Sequence, residues 1–226
     1  GPAAILLVGL TGFVYWVSVK FKMYFTISQL FFYGFSAILV TALWFGVEWM
    51  MNGSWFIKEF TTYQIRLFST PDAGHGGFPG YHFIVLLLGC FPASIFAIPA
   101  LWKSPLLLDG DSQKWQIDFR KWMLILFWVV LILFSIVQSK IVHYSSLCYF
   151  PLTYLSATYL FSITQDEKKL HSKIIIALLF FGILISSIFI VLPLVGKNIE
   201  LLKPLFAEDL FALGNLDAEI TWSFWD

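Results

Sequence analysis

Long, nearly uninterrupted apolar runs recur along this chain, and they restrict the folds open to it. A helix that crosses a membrane needs about 20 mostly apolar residues. A run of that length, without alternation of apolar and polar residues, favours helix over strand. The sequence therefore predicts an all-α, polytopic transmembrane helical bundle of about six spanning helices, at residues 3–19, 26–49, 83–101, 122–138, 147–163 and 174–195.

The composition indicates the same class of protein. Hydrophobic residues make up 59% of the chain and charged residues 12%, whereas a soluble domain has about 45–50% apolar and about 25% charged residues. So few polar residues cannot cover a globule in water, which indicates an integral membrane protein surrounded by membrane lipids. The formal net charge is +0, so nothing favours a nucleic-acid partner.

Basic residues are divided unequally between the two sides that six spans define. One side has nine of them, at Lys20, Lys22, Lys103, Lys114, Arg120, Lys121, Lys168, Lys169 and Lys173. The other has five, at Lys58, Arg66, Lys140, Lys197 and Lys203. Because cytoplasmic loops are enriched in Lys and Arg, the smaller set is predicted to lie outside.

Two regions follow from this pattern. Residues 1–195 form a transmembrane helical domain with one long outer loop at residues 51–82. Residues 196–226 are acidic but retain Leu, Phe and Trp, so we interpret them as the start of a further extracytoplasmic segment. An apolar run begins directly after Pro2, and we therefore expect an internal fragment of a longer protein.

Arg66 is the main candidate in the outer loop. It follows residues 55–60, an amphipathic stretch of the kind that lies flat on a membrane. A guanidinium is a planar fork that suits phosphate, so Arg66 is a candidate contact for a lipid phosphate. The alternatives are an ordinary headgroup contact and an ion pair with Glu59.

Asp72, His75 and His82 bring metal-ligating side chains into the same loop. They fit part of a divalent metal site or an acid–base pair, although a closed zinc site takes four ligands. The alternative is a loop ordered by hydrogen bonds from the Asp72 side chain to the backbone.

Lys140, His143 and Tyr144 occupy a short turn that is also predicted to lie outside. In one interpretation Lys140 only extends its ammonium group to the headgroups. In the other, Lys140 and Tyr144 face the same pocket as Arg66, and the cations, phenol and imidazole bind an anionic lipid headgroup.

Two stretches resemble a known family. The first has Arg66, residues 72–75, residues 80–82 and the apolar run 84–92; the second has residues 139–144 and residues 150–152. Both resemble the lipid-linked-sugar transferases of the GT-C superfamily, the bacterial aminoarabinose-transferase and protein O-mannosyltransferase-like enzymes. The resemblance covers most of the chain, with the motifs in the family's order.

This resemblance implies an enzyme of the bacterial inner membrane, with its active face on the periplasmic side. Such an enzyme moves a sugar from a polyprenyl-phosphate carrier to a lipid, glycan or protein acceptor. Arg66 would contact the carrier phosphate, Lys140 and Tyr144 would line the same pocket beside His143, and His75, with Asp72, would bind a divalent metal or order the loop.

This sequence departs from the family pattern in two places. Val142 and His143 stand where the aminoarabinose transferases often have Pro and a small residue, and Tyr81 and His82 replace an aromatic pair. The sugar and the acceptor therefore stay open. The family's catalytic acid belongs to the first outer loop of the full protein, and no acid here matches it. We accordingly assign no catalytic residue and expect this segment alone to be inactive.

Two other functions compete with the enzyme. A transporter or flippase for a lipid or small anion predicts charged residues at mid-membrane and broken helices in paired halves. A structural membrane subunit without chemistry predicts that the outer Arg, Lys and His residues can be replaced without effect.

Overall fold

The computed structural model describes residues 2–23, 25–71, 76–102, 111–165, 169–198, 200, 203–206 and 214. Over these residues the chain is all-α and has no strand, which confirms the predicted fold class. The described elements are α1 (Pro2–Ser18), α2 (Ile27–Asn52), α3 (Trp55–Ser69), α4 (Tyr81–Gly89), α5 (Ala93–Trp102), α6 (Asp111–Ile136), a 3₁₀ helix (Val142–Cys148), α7 (Tyr149–Gln165), α8 (Ser172–Gly196) and a 3₁₀ helix (Lys203–Phe206).

The expected number of six spans is too high. Among the described residues, three helices are long and apolar enough to cross a membrane: α2, the part of α6 from Ser112 to Ile136, and α8. The pair of α4 and α5 makes a fourth if its two parts are one broken span. The structure is therefore that of a multi-pass membrane protein with three or four candidate spans.

Helix length and a helix break explain why fewer spans are found than the six predicted. Helices α1 and α7 each have 17 residues, which at 1.5 Å per residue is about 26 Å. That is short of a hydrocarbon core about 30 Å thick, and α7 also carries Ser or Thr on most of its turns. The run at residues 83–101 is divided into α4 and α5, which are bent by 118° relative to one another.

Helix α3 occupies much of the loop predicted at residues 51–82. Gly53 ends α2 at φ 71°, and its N–H donates to the carbonyl of Trp49. A positive φ strains any residue with a Cβ, so this glycine allows the sharp change of direction before α3 begins at Trp55. Phe45 of α2 then contacts Phe56 and Phe60 of α3, with ring centroids 6.1 and 5.5 Å apart.

The chain divides into two compact units, Gly1–Lys169 and Leu170–Asp226. The core of the first unit lies where α5 packs along α7 and α7 packs on α6. Its most buried members include Ala100 of α5, Val130 and Leu131 of α6, and Leu155 of α7. Helix α1 joins α6 by stacking of Tyr15 on Trp122, with ring centroids 3.9 Å apart.

The broken pair of α4 and α5 contacts α6 near each of its two ends. The His82 ring, near the start of α4, lies 6.2 Å from the ring of Phe134, near the end of α6. At the other end of the pair, Arg120 of α6 donates from Nη2 to the carbonyl of Ala100. Despite the 118° bend, the two ends of the pair therefore contact opposite halves of α6.

The second unit contains α8. The side chain of His171 caps its first turn by accepting from the Lys173 N–H, 3.2 Å away. None of the 18 residues in the most apolar window of α8 is buried within the structure. A helix that is apolar on all sides is suited to lipid.

Candidate functional site

Two hydrogen bonds bring the end of α3 to the segment that follows α6. The Gln138 N–H donates to the Phe68 carbonyl over 3.1 Å. The Ser139 hydroxyl, which is buried, donates to the Thr70 carbonyl over 2.8 Å. We refer to these four residues as the junction. It brings together the two stretches in which the sequence has its candidate phosphate-binding residues.

Lys140 follows the junction and is almost completely buried, with 5% of its surface exposed. Its Nζ donates to the carbonyls of Phe134, Ser135 and Val137. An α-helix leaves its last four carbonyls without partners inside the helix, and a cation there is favoured by the helix dipole. Lys140 therefore caps the C-terminal end of α6. Burial lowers the pKa of its ammonium group.

The stem of Lys140 is held by the loop that precedes α4. A Cβ built on Gly77 would lie 2.8 Å from Cγ and 3.2 Å from Cβ of Lys140. Real Cβ atoms do not approach other atoms that closely, so only glycine fits against the stem. The neighbouring Gly76 has room for a Cβ, because a Cβ there would lie 3.4 Å from Cβ of Pro71, an ordinary contact distance.

Arg66 is placed very differently from Lys140. It is exposed on the last turn of α3, and its guanidinium carbon lies 5.2 Å from the centre of the Tyr63 ring, a cation–π arrangement. The side chain borders an open groove of about 350 Å³, the α3 groove, which is lined by Trp55, Phe56, Glu59, Phe60, Thr62, Tyr63 and Arg66.

His143 and Tyr144 lie in the 3₁₀ helix that follows Lys140. His143 is exposed, and its ring meets the ring of Tyr144 edge-on with centroids 5.2 Å apart. Tyr144 is half-buried and packs on Phe134 of α6 at 5.1 Å. This places an imidazole at the surface and a phenol ring just beneath it.

The structure thus brings the predicted residues into one neighbourhood but gives them different surroundings. The Lys140 ammonium is directed at carbonyls of its own helix end, whereas the Arg66 guanidinium is directed at an open groove. That Arg66, Lys140 and Tyr144 share one phosphate-binding pocket stays a prediction.

The predicted metal ligands Asp72 and His75 lie outside the described residues. In the part of the chain that the structure does describe, no group of three or more His, Cys, Asp or Glu side chains is close enough to hold a metal ion. His82, the third candidate, lies beside the Lys140 cation, which is an unfavourable neighbour for a metal.

His82 also has a feature that the sequence did not show. Its side chain is 0% exposed, and neither ring nitrogen has a hydrogen-bond partner within the described structure. The rings of Tyr81 and Phe134 pack around it. A buried polar group without a partner is rare. The sequence signal, a His close to the start of an apolar run, is too common to have indicated it.

Two charged residues on α6 were assigned to a loop by the sequence. Asp118 accepts a hydrogen bond from the Tyr15 hydroxyl of α1, and Arg120 donates to the Ala100 carbonyl near the end of α5. Both were missed because α6 begins at Asp111, eleven residues before the predicted start. The early start places both charges on a candidate span, where they join it to neighbouring helices.

No protein-family model, curated protein or solved structure matches this chain.

Proposed function

We propose that this chain is part of a membrane glycosyltransferase that moves a sugar from a polyprenyl-phosphate carrier to an extracytoplasmic acceptor. The observation that carries the proposal is the junction. Gln138 and Ser139 bond to the carbonyls of Phe68 and Thr70, so the two stretches that resemble the GT-C transferases meet in space although about 70 residues separate them.

Within this proposal the two cations have different tasks. Arg66 contacts the carrier phosphate, because its guanidinium borders an open groove and can offer two parallel N–H donors. Lys140 is a positioning residue: through its bonds to the end of α6 it fixes the turn that carries His143 and Tyr144, which face the carrier beside Arg66.

The reaction is a displacement at the anomeric carbon. The acceptor hydroxyl oxygen forms the new bond to that carbon while the bond from the carbon to the phosphate oxygen breaks. Negative charge grows on the departing phosphate, and a cation already in position stabilises this charge. Arg66 supplies that cation. The acceptor hydroxyl loses its proton to a general base, which we do not assign to a residue of this chain.

The proposal includes a location, the bacterial inner membrane. The α3 groove and the junction then face the periplasm, where the carrier presents its sugar. The acceptor is a lipid, a glycan or a protein, and Asp72 and His75 would hold a divalent metal.

The test is Arg66→Ala in the full protein, with transfer measured from a polyprenyl-phosphate sugar. We expect kcat/KM to fall by about 100-fold, as for the loss of one electrostatic contact to a transition state. Lys58→Ala is the matched control, because Lys58 is a cation on the same helix that does not line the α3 groove. Equal kcat/KM values for the wild type and Arg66→Ala would remove Arg66 from the site.

A transporter is the second candidate, and two observations favour it. The bent pair of α4 and α5 is the broken helix that a transporter predicts, and α6 has Asp118 and Arg120 on a candidate span. Against it, the Ser94 hydroxyl donates to the Leu87 carbonyl over 2.6 Å. A backbone carbonyl beside the break therefore already has a partner within the chain and is not left for a transported ligand. Uptake of a phosphorylated lipid or small anion into liposomes, without sugar transfer, would favour the transporter.

A further inference from the structure

Helix α3 carries Arg66 but is not held in place by burial. None of its 15 residues is buried. Its first half contacts α2, where Phe56 and Phe60 meet the ring of Phe45. Its last turn, with Arg66, is linked by the junction to the segment after α6. The position of the guanidinium therefore depends strongly on the hydrogen bonds of the junction.

The two hydrogen bonds of the junction differ in their chemical origin. The bond from Gln138 to Phe68 joins two backbone groups, so any residue except proline at position 138 has the donor. The bond to the Thr70 carbonyl comes from the side-chain hydroxyl of Ser139. Ser139 is therefore the position at which the amino-acid type decides whether the second bond forms.

A single residue connects the Ser139 hydroxyl to the backbone of Arg66. Thr70 follows the last residue of α3, and both its N–H and its hydroxyl donate to the Arg66 carbonyl, each over 2.8 Å. The Thr70 carbonyl in turn accepts from Ser139. A shift of Thr70 relative to Ser139 is therefore passed directly to the turn of α3 that carries Arg66.

The donor side of this connection is fixed. Ser139 is 0% exposed. The next residue, Lys140, donates to three carbonyls at the end of α6, and Gly77 packs against its stem. Ser139 therefore joins a well-packed helix end to a helix that has no buried residue, and the packed side sets the position of the other.

We propose that Ser139 is a positioning residue, which holds Arg66 at the carrier phosphate through Thr70. The carrier phosphate in this inference rests on the proposed function, whereas the link from Ser139 to α3 does not. A cation stabilises a developing charge best when it is already in position, and small displacements of a reacting or contacting group lower rates strongly. Loss of the Ser139 hydroxyl is thus expected to weaken the action of Arg66 without removing its charge.

The first measurement tests the link without reference to sugar transfer. Hydrogen exchange of the purified full protein is followed by mass spectrometry in the peptide that contains the last turn of α3. We expect Ser139→Ala to speed exchange there by about fivefold, as the loss of one hydrogen bond provides. Ser94→Ala is the matched control, because Ser94 is also buried and its hydroxyl also donates to a backbone carbonyl, that of Leu87 in α4. It is expected to leave exchange in α3 unchanged.

The second measurement asks whether Ser139 acts through Arg66. Transfer from a polyprenyl-phosphate sugar is compared for Ser139→Ala, Arg66→Ala and the double variant. We expect Ser139→Ala to lower kcat/KM by about tenfold when Arg66 is present and to have no further effect in the Arg66→Ala protein. A merely structural loss lowers kcat/KM equally in both backgrounds, and Ser94→Ala is expected to behave in that way.

The outcomes separate this inference from the proposed function. Unchanged hydrogen exchange in Ser139→Ala overturns the inference, and so does an equal fall of kcat/KM with and without Arg66. Loss of transfer by Arg66→Ala with full transfer by Ser139→Ala also overturns it, while the proposed function stands. Full transfer by Arg66→Ala instead removes the carrier from Arg66, and faster exchange in Ser139→Ala then still supports the link to α3.

Discussion

Lys140 and Arg66 are two cations from neighbouring parts of the molecule, and the structure gives them opposite environments. Lys140 is 5% exposed and donates to three carbonyls at the end of α6. Arg66 is exposed over an aromatic ring at the edge of a groove. The comparison teaches that a cation near a membrane edge can either complete a helix end or bind a ligand, and that burial decides which.

The largest expected effect comes from removing the buried cation. Lys140→Met leaves carbonyls of Phe134, Ser135 and Val137 buried without their donor, so we expect the free energy of unfolding to fall by about 3 kcal/mol. Arg66→Met is the control, because an exposed side chain is expected to change it by less than about 0.5 kcal/mol. Denaturant titration of both variants measures the difference. Equal losses would mean that burial does not distinguish the two cations.

A smaller effect is expected at the glycine that packs on the Lys140 stem. Gly77→Ala inserts a methyl group 2.8 Å from Cγ of Lys140, and because three hydrogen bonds fix that side chain we expect a loss of about 2 kcal/mol. Gly76→Ala is the matched control, since its new methyl group lies at an ordinary 3.4 Å from Pro71. Thermal unfolding compares the two variants. A Gly77→Ala protein as stable as Gly76→Ala would show that Lys140 is free to move.

The smallest effect is expected beside Lys140, at His82, and it has the opposite sign. Both ring nitrogens are buried without a partner in the described structure, so replacing the ring by an apolar side chain removes a desolvation cost. We expect His82→Leu to stabilise the protein by about 1 kcal/mol. His143→Leu, at an exposed position, serves as the control, and both are followed by thermal unfolding. Destabilisation by His82→Leu would show that the imidazole has a partner.

The sequence predicted the candidate site as a set of residues but not their individual environments. It predicted that Arg66 and Lys140 both lie on the outer side of the membrane, and the structure adds that two hydrogen bonds join the segments that carry them. It could not distinguish their environments, because a lone Lys between two apolar runs has the same local pattern whether it snorkels, caps a helix or binds a ligand. Asp72 and His75 lie outside the described residues, so the predicted metal stays a prediction.

The helices, like the candidate site, were predicted only in part from the sequence. Hydropathy located every apolar run, and each run is helical over most of its described residues. The number of spans was too high because α1 and α7 are only 17 residues long and because hydropathy does not register the bend between α4 and α5. The start of α6 was placed too late because its first turns are polar, and tertiary contacts such as Tyr15 with Asp118 and Arg120 with Ala100 accompany them.

The amino-acid sequence by itself determined that the chain is helical and suited to a membrane, because apolar runs in lipid must satisfy their own backbone hydrogen bonds. It also determined which polar residues lie between the runs. Only the tertiary structure decided which of these residues are buried, because burial depends on packing between segments distant in the chain. Lys140 is enclosed by Gly77 and the end of α6, whereas the α3 helix leaves Arg66 at an open groove.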